Sequence, residues 1–120
     1  MKSSPSVMIV DASRESREVL RVLLERRGAR TIEAEGPEEA LRLADRCRPD
    51  LIVLDAESDP SPTSEPTNEL RDAADRSDTP IVIIGKVRQL QTPALPGQIV
   101  AKPYHYGALI RKIDVLLDAA

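Results

Sequence analysis

The sequence contains no Phe and no Trp, and only two Tyr, so any core it builds must be aliphatic. Its single cysteine, Cys47, excludes an intramolecular disulfide framework and a multi-cysteine zinc site. That residue reads as a small hydrophobe on a helix face. Its single histidine, His105, excludes a paired-histidine metal site, and it falls where the last helix begins, as an exposed residue. No apolar run approaches the ~18–20 residues that cross a bilayer. The run Val7–Val10, behind a polar Met1–Ser6, is too short for a signal-peptide core. Charge of one sign is also missing: 17 Lys plus Arg stand against 20 Asp plus Glu, for a net −3. A dedicated nucleic-acid binder is normally basic. These exclusions describe a cytoplasmic, soluble chain with no direct contact to nucleic acid or membrane. At 120 residues it is one domain, read as a flexible tail over 1–6 and a folded unit over 7–120.

What is present alternates. Val7–Val10, Leu51–Leu54 and Ile81–Ile84 are short, β-branched, continuous apolar runs, the pattern of strands buried on both faces. Ala29–Ala34 and Ile99–Ala101 read as weaker strands. Between them lie helical segments. Arg14–Arg27 follows an N-cap Ser13 and stops at Gly28, with Val19, Leu20, Leu23 and Leu24 as its apolar stripe. A second helix starts at Gly36-Pro37-Glu38-Glu39 and carries Ala40, Leu41, Ala44 and Cys47 on one face. A short helix is expected over Asn68–Asp75, and a last one over Gly107–Leu117. Glu57–Thr67, with three prolines and no aliphatic residue, reads as a loop. Buried strands alternating with amphipathic helices specify an α/β fold: a doubly wound, five-stranded parallel sheet in the flavodoxin-like order 2-1-3-4-5.

In such a sheet, ligands bind beyond the carboxyl ends of the strands, at the point where the strand order reverses. Asp11 ends the first strand, Asp55 the third and Lys102 the fifth. Each alone is an ordinary turn residue. Together they place two carboxylates and an ammonium on one rim. Two carboxylates at one site repel and invite a hard cation such as Mg²⁺. A nearby lysine neutralises a phosphoryl group or one of the acids.

Four segments carry a resemblance. Val7-Met8-Ile9-Val10-Asp11, Pro49-Asp50-Leu51-Ile52-Val53-Leu54-Asp55, Thr79-Pro80-Ile81-Val82-Ile83-Ile84 and Ala101-Lys102-Pro103 resemble the signatures of response-regulator receiver domains. The likeness runs from Val7 to about Leu117. It implies that Asp55 accepts a phosphoryl group from a histidine kinase or phosphotransfer protein. It implies that acids after the first strand hold Mg²⁺, that Lys102 contacts the phosphoryl oxygens, and that the Lys102-Pro103 bond is commonly cis. The module is then not an enzyme, beyond self-phosphorylation of Asp55 from a phosphodonor. The first helix of receivers often meets the kinase; here Arg14, Arg17 and Arg21 are spaced as a solvated face. Tyr104 resembles the aromatic that usually follows Lys-Pro and is expected to pack.

The chain also departs from that pattern. The family usually has two adjacent acids after the first strand, whereas here Asp11 is followed by Ala12, so weak or absent Mg²⁺ binding is expected. The hydroxyl usually found just after the fourth strand is replaced by Gly85, and its partner aromatic by Ile99, so both usual switch positions are altered. Gly85 and Lys102 are 17 positions apart, with Pro93 and Pro96 between. The helix before the fifth strand is therefore expected to be short or missing, which leaves the oligomeric state open. Glu57 and Lys86 are placed to compensate, Glu57 as a third, weak carboxylate ligand beside Asp11 and Asp55, Lys86 as an ammonium where the metal would lie. The alternative for both is a solvated surface pair. Two functional versions follow: an atypical receiver in a phosphorelay, or a pseudo-receiver that binds another signalling protein without phosphorylation. A small-ligand binder or enzyme on a flavodoxin-like fold is a third class, disfavoured because no Gly-rich phosphate loop follows the first strand.

Overall fold

The apolar runs become the strands. A computed structural model describes residues 4–58, 65–86 and 98–118. Its elements are β1 (Ser6–Val10), α1 (Arg14–Arg26), β2 (Arg30–Ala34), α2 (Pro37–Cys47), β3 (Leu51–Asp55), α3 (Glu65–Arg76), β4 (Ile81–Gly85), β5 (Gln98–Ala101) and α4 (Tyr106–Asp118). A single 3-10 turn, Ala56–Ser58, follows β3 directly. Every strand pair is parallel, and the sheet order is β2-β1-β3-β4-β5, the order expected.

Side-chain alternation divides the core into two layers. Every residue of β1, β3 and β4 is buried. Val7, Ile9, Leu51, Val53, Val82 and Ile84 face Leu20 and Leu24 of α1 and Leu109, Ile110 and Ile113 of α4. Met8, Val10, Ile52, Leu54 and Ile83 face Ala40 of α2 and Leu70 and Ala74 of α3. Both layers are aliphatic; Tyr104 and Tyr106 pack only at the border of the first. Among the described residues no helix is long and apolar enough to cross a membrane.

Helix ends follow local chemistry. The Ser13 side chain accepts from the Ser16 N–H and caps α1. Gly28, at φ +90, supplies the left-handed residue after that helix, a conformation a side chain would strain. Pro37 opens α2, where its missing N–H costs nothing.

Several boundaries differ from expectation for identifiable reasons. Ser6 belongs to β1 rather than to a tail: its N–H donates to the Asp50 carboxylate at 2.7 Å, and its carbonyl accepts from the Asp50 N–H at 2.8 Å. The α3 helix begins at Glu65, so Glu65–Thr67 are helical and not loop. Pro66 is tolerated in a first turn, and Thr67 is buried. Cys47, the last residue of α2, is exposed, although Leu41, Leu43 and Ala44 before it pack against the core. Val19 is 40% exposed, while the buried stripe of α1 is Arg17, Leu20 and Leu24. Arg17 is thus not on a solvated face. The prolines of 59–64 and the expected short or missing helix over 87–97 lie outside the described residues.

Two positions on α4 separate packing from helix propensity. Ile113 is fully buried against the sheet and Val115 is 66% exposed. Urea unfolding of Ile113→Ala is expected to show a loss of about 2–4 kcal/mol, and Val115→Ala a change within about 0.5 kcal/mol. Equal losses at the two positions would contradict the layer assignment.

Candidate functional site

The carboxyl ends of β1, β3, β4 and β5 make one rim, and each contributes through its last residues. Asp55 is the final residue of β3, in the middle of the sheet, and only 8% exposed. Its Oδ1 accepts from the Glu57 N–H at 2.8 Å, which tightens the chain into the 3-10 turn. Asp11, one residue past β1, accepts from the Ser13 N–H through Oδ1 at 2.9 Å while its own N–H donates to the Ala34 carbonyl. Its backbone is thereby held to β2 and its carboxylate to the start of α1. Lys102, one residue past β5, donates its backbone N–H to the Gly85 carbonyl at 2.8 Å. That bond carries its side chain back over the rim. The peptide bond between Lys102 and Pro103 is cis.

The centre of the rim is a lysine on a carboxylate. Lys102 Nζ donates to Asp55 Oδ2 at 2.8 Å and to Oδ1 at 3.1 Å. It also lies 3.5 Å from Glu57 Oε2. Glu57 Oε1 lies 3.9 Å from Lys86 Nζ. Five ionisable groups therefore occupy one end of the sheet: Asp11, Asp55, Glu57, Lys86 and Lys102.

Their electrostatics follow from that crowding. Burial pushes the Asp11 carboxyl up from 3.8 to about 6. The Ser13 N–H opposes the shift, the charge of Asp55 and a hydrogen bond shared with it add to it, and the Lys102 ammonium opposes it. Burial works against the Lys102 ammonium, but the hydrogen bond and charge of Asp55, with the charges of Glu57 and Asp11, hold its pKa above the usual lysine value. Burial also raises the Tyr104 hydroxyl, with Tyr106 and the two aspartates adding to the effect. The two tyrosines meet edge to face at 5.4 Å.

The residues singled out in the sequence are thus distributed unevenly. Asp11, Asp55, Glu57 and Lys102 come together, and Lys86 joins them through Glu57. Gly85 ends β4 and is buried, with its carbonyl on Lys102. Ile99 pairs in register with Ile83 on the α2 and α3 side of the sheet and is 39% exposed, away from the Asp55 carboxylate. His105 is exposed.

One residue expected on a solvated face supports the site instead. Arg17 is 8% exposed on α1 and donates through Nη1 to the Asp11 carbonyl at 2.6 Å and through Nε to Glu33 Oε1 at 3.1 Å. Arg21 reaches the other oxygen of Glu33 at 3.5 Å. The strand end bearing Asp11 is thereby tied to α1 from behind. Spacing carried the signal: Arg17 stands three and seven residues before Leu20 and Leu24, on the core-facing stripe.

No protein-family model and no curated protein sequence matches the chain. Solved structures do. The receiver domain of a signal-transduction histidine kinase from Syntrophus aciditrophicus superposes with a TM-score of 0.84 at 22% identity, covering 98% of this chain and 92% of that one. A response regulator receiver protein from Sinorhizobium medicae gives 0.80 at 20% identity over 97% and 96%. The chemotaxis protein CheY4 of Vibrio cholerae gives 0.77 at 21% identity over 94% and 98%. At these identities the likeness establishes the fold: nearly the whole chain is folded as a receiver domain.

The raised Asp11 pKa has a stability consequence. The native state binds this proton more tightly than the unfolded chain, so stability falls as pH rises from about 4 to about 6, and the full penalty stands above that. Asp11→Asn keeps an oxygen for the Ser13 N–H and removes the charge. It is expected to stabilise the protein by about 1–2 kcal/mol at pH 7.5, with the gain vanishing below about pH 4. Urea titrations of both proteins across this range check the sign; a gain that persists at low pH would assign it to something other than charge.

Proposed function

We propose that this receiver-fold chain is an atypical receiver module of two-component signalling, in which Asp55 accepts a phosphoryl group from a histidine kinase or phosphotransfer protein. The observation that carries the reading is the Lys102 ammonium on both oxygens of a nearly buried carboxylate at the centre of the sheet rim. A carboxylate attacking an anionic phosphoryl group is opposed by charge repulsion. An ammonium already at hydrogen-bond distance reduces that repulsion and stabilises the charge that spreads over the equatorial oxygens. An Asp55 oxygen forms the new bond to phosphorus, and the bond to the donor breaks with its electron pair leaving on the donor.

Mg²⁺ is the cofactor that receivers imply, and these residues suit it poorly. Ala12 offers no oxygen where the second acid is usual. Both oxygens of Asp55 accept from Lys102, and both oxygens of Glu57 face ammonium groups. Among the described residues no three carboxylate, imidazole or thiolate groups gather as a metal site. Mg²⁺ prefers near-octahedral oxygen ligation and gives up water reluctantly, so the chemistry is assigned here to the protein's own groups.

Switching is also altered. Gly85 has no hydroxyl to be drawn toward a phosphoryl group, and Ile99 is β-branched with few rotamers. A ligand shifts an equilibrium only as far as it binds the two states differently. The same two residues favour a second reading, a pseudo-receiver that binds a signalling partner without phosphorylation. A nucleotide or flavin site is disfavoured because Asp11-Ala12-Ser13, after β1, holds no glycine.

Intact-protein mass after incubation with acetyl phosphate separates the two readings. The wild type is expected to gain one phosphoryl group and Asp55→Asn none; no gain in either favours the pseudo-receiver. Ala12→Asp is expected to strengthen Mg²⁺ binding in a calorimetric titration, and unchanged binding would show that the missing acid is not limiting. Amide NMR with beryllofluoride, a phosphoryl mimic, is expected to show changes confined to the neighbourhood of Asp11, Asp55 and Lys102. Large shifts along β5 would mean that the chain switches by another route.

A further inference from the structure

The Glu57 carboxylate sits between two ammonium groups, Lys102 at 3.5 Å from one oxygen and Lys86 at 3.9 Å from the other. The three residues issue from three neighbouring strand ends. Glu57 lies in the turn after β3, Lys86 follows Gly85 at the end of β4, and Lys102 follows β5, whose Ala101 is in register with Gly85. Lys102 simultaneously holds Asp55. One ammonium group thus holds the Asp55 oxygens, and an anion from the protein bridges it to a second ammonium group. Together two ammonium groups bring the formal charge of one divalent cation. Each adds three N–H donors, on flexible four-carbon stems that need no fixed coordination geometry.

We propose that Lys86 and Lys102 form a metal-independent phosphoryl-binding pair, with Glu57 as the resident anion that an incoming phosphoryl group displaces from Lys102. This inference rests on the receiver reading of the site. Phosphorylation converts one carboxylate charge on Asp55 into a group of greater negative charge. With acetyl phosphate as donor, the Asp55 oxygen bonds to phosphorus, the bond to acetate breaks, and acetate leaves with the electron pair. The new oxygens compete with Glu57 for Lys102 and, having more charge and more acceptors, win it. Lys86 then contacts the phosphoryl oxygens, and the freed Glu57 moves toward solvent. Substitution at Lys86 leaves the fold intact, since its side chain is 61% exposed.

Fluorine NMR of protein-bound beryllofluoride tests this directly, in Mg²⁺-free buffer and again with Mg²⁺ added, with amide spectra showing that each variant is folded. The wild type is expected to bind without Mg²⁺, and added Mg²⁺ to leave the affinity unchanged. Lys86→Met is expected to bind at least about tenfold more weakly in Mg²⁺-free buffer, the worth of one charge-assisted hydrogen bond. Glu57→Gln is expected to bind more tightly than the wild type, because the competing anion is gone. A bound signal that requires Mg²⁺ in the wild type, or a Lys86→Met affinity equal to wild type, overturns the lysine pair. Ala12→Asp with Mg²⁺ distinguishes the two levels of failure. Binding there but not in the metal-free wild type rejects the lysine pair and retains the receiver reading; binding nowhere rejects both.

Discussion

A carboxylate at the end of a central, apolar strand must have a countercharge, and the arrangement of the rim follows from meeting that need at Asp55. Its side chain is 10% exposed, and an unpaired charge there would cost several kcal/mol of lost hydration. Lys102 meets the need because β5 lies two strands away and its own N–H is fastened to the Gly85 carbonyl. The Glu57 N–H takes a further share of the negative charge. Pairs of this kind stabilise a fold less than they specify its geometry. Here the geometry specified is an acidic oxygen facing outward from the sheet with an ammonium across it.

The remaining charges are arranged around that pair. Asp11 is held from in front by the Ser13 N–H and from behind, at its carbonyl, by Arg17. Partial burial is the main reason that its pKa is raised; the neighbouring Asp55 adds to the shift, and Lys102 opposes it. In a site built for a divalent ion, repulsion between the acids is relieved by the ion. Here Ala12 holds no carboxylate, Asp55 and Glu57 share Lys102, and Lys86 lies at the other oxygen of Glu57.

Much of this was legible in the sequence, for reasons that differ by residue. The sheet order followed from five strands alternating with amphipathic helices, and the rim followed from the ionisable residues Asp11, Asp55 and Lys102 that end the first, third and fifth. The receiver likeness, read from Asp11, Asp55 and Lys102-Pro103, agrees with the fold that solved receiver structures share with the chain. Arg17 was misread because charge was taken to mean solvent, although its spacing from Leu20 and Leu24 placed it on the buried stripe. Cys47 was misread the opposite way, from its type alone. The start of α3 was obscured because Pro66 signals a loop in isolation but is compatible with a first helical turn. The pairing of Glu57 with Lys86 was anticipated from their places after neighbouring strands, but its second contact, to Lys102, depends on a 3-10 turn that no local pattern announces.

The central claim is that the Asp55 carboxylate, paired with Lys102, is a phosphoryl acceptor. Its most direct measurement is chemical trapping: acetyl phosphate treatment, borohydride reduction of any acyl phosphate, and peptide sequencing by tandem mass spectrometry. An acyl phosphate at Asp55 is reduced to homoserine, so the peptide spanning Leu51–Asp55 should carry homoserine at its aspartate position, and the conversion should fall sharply in Lys102→Met. An unmodified Asp55 in the folded wild type, or homoserine at another acid instead, would contradict the claim.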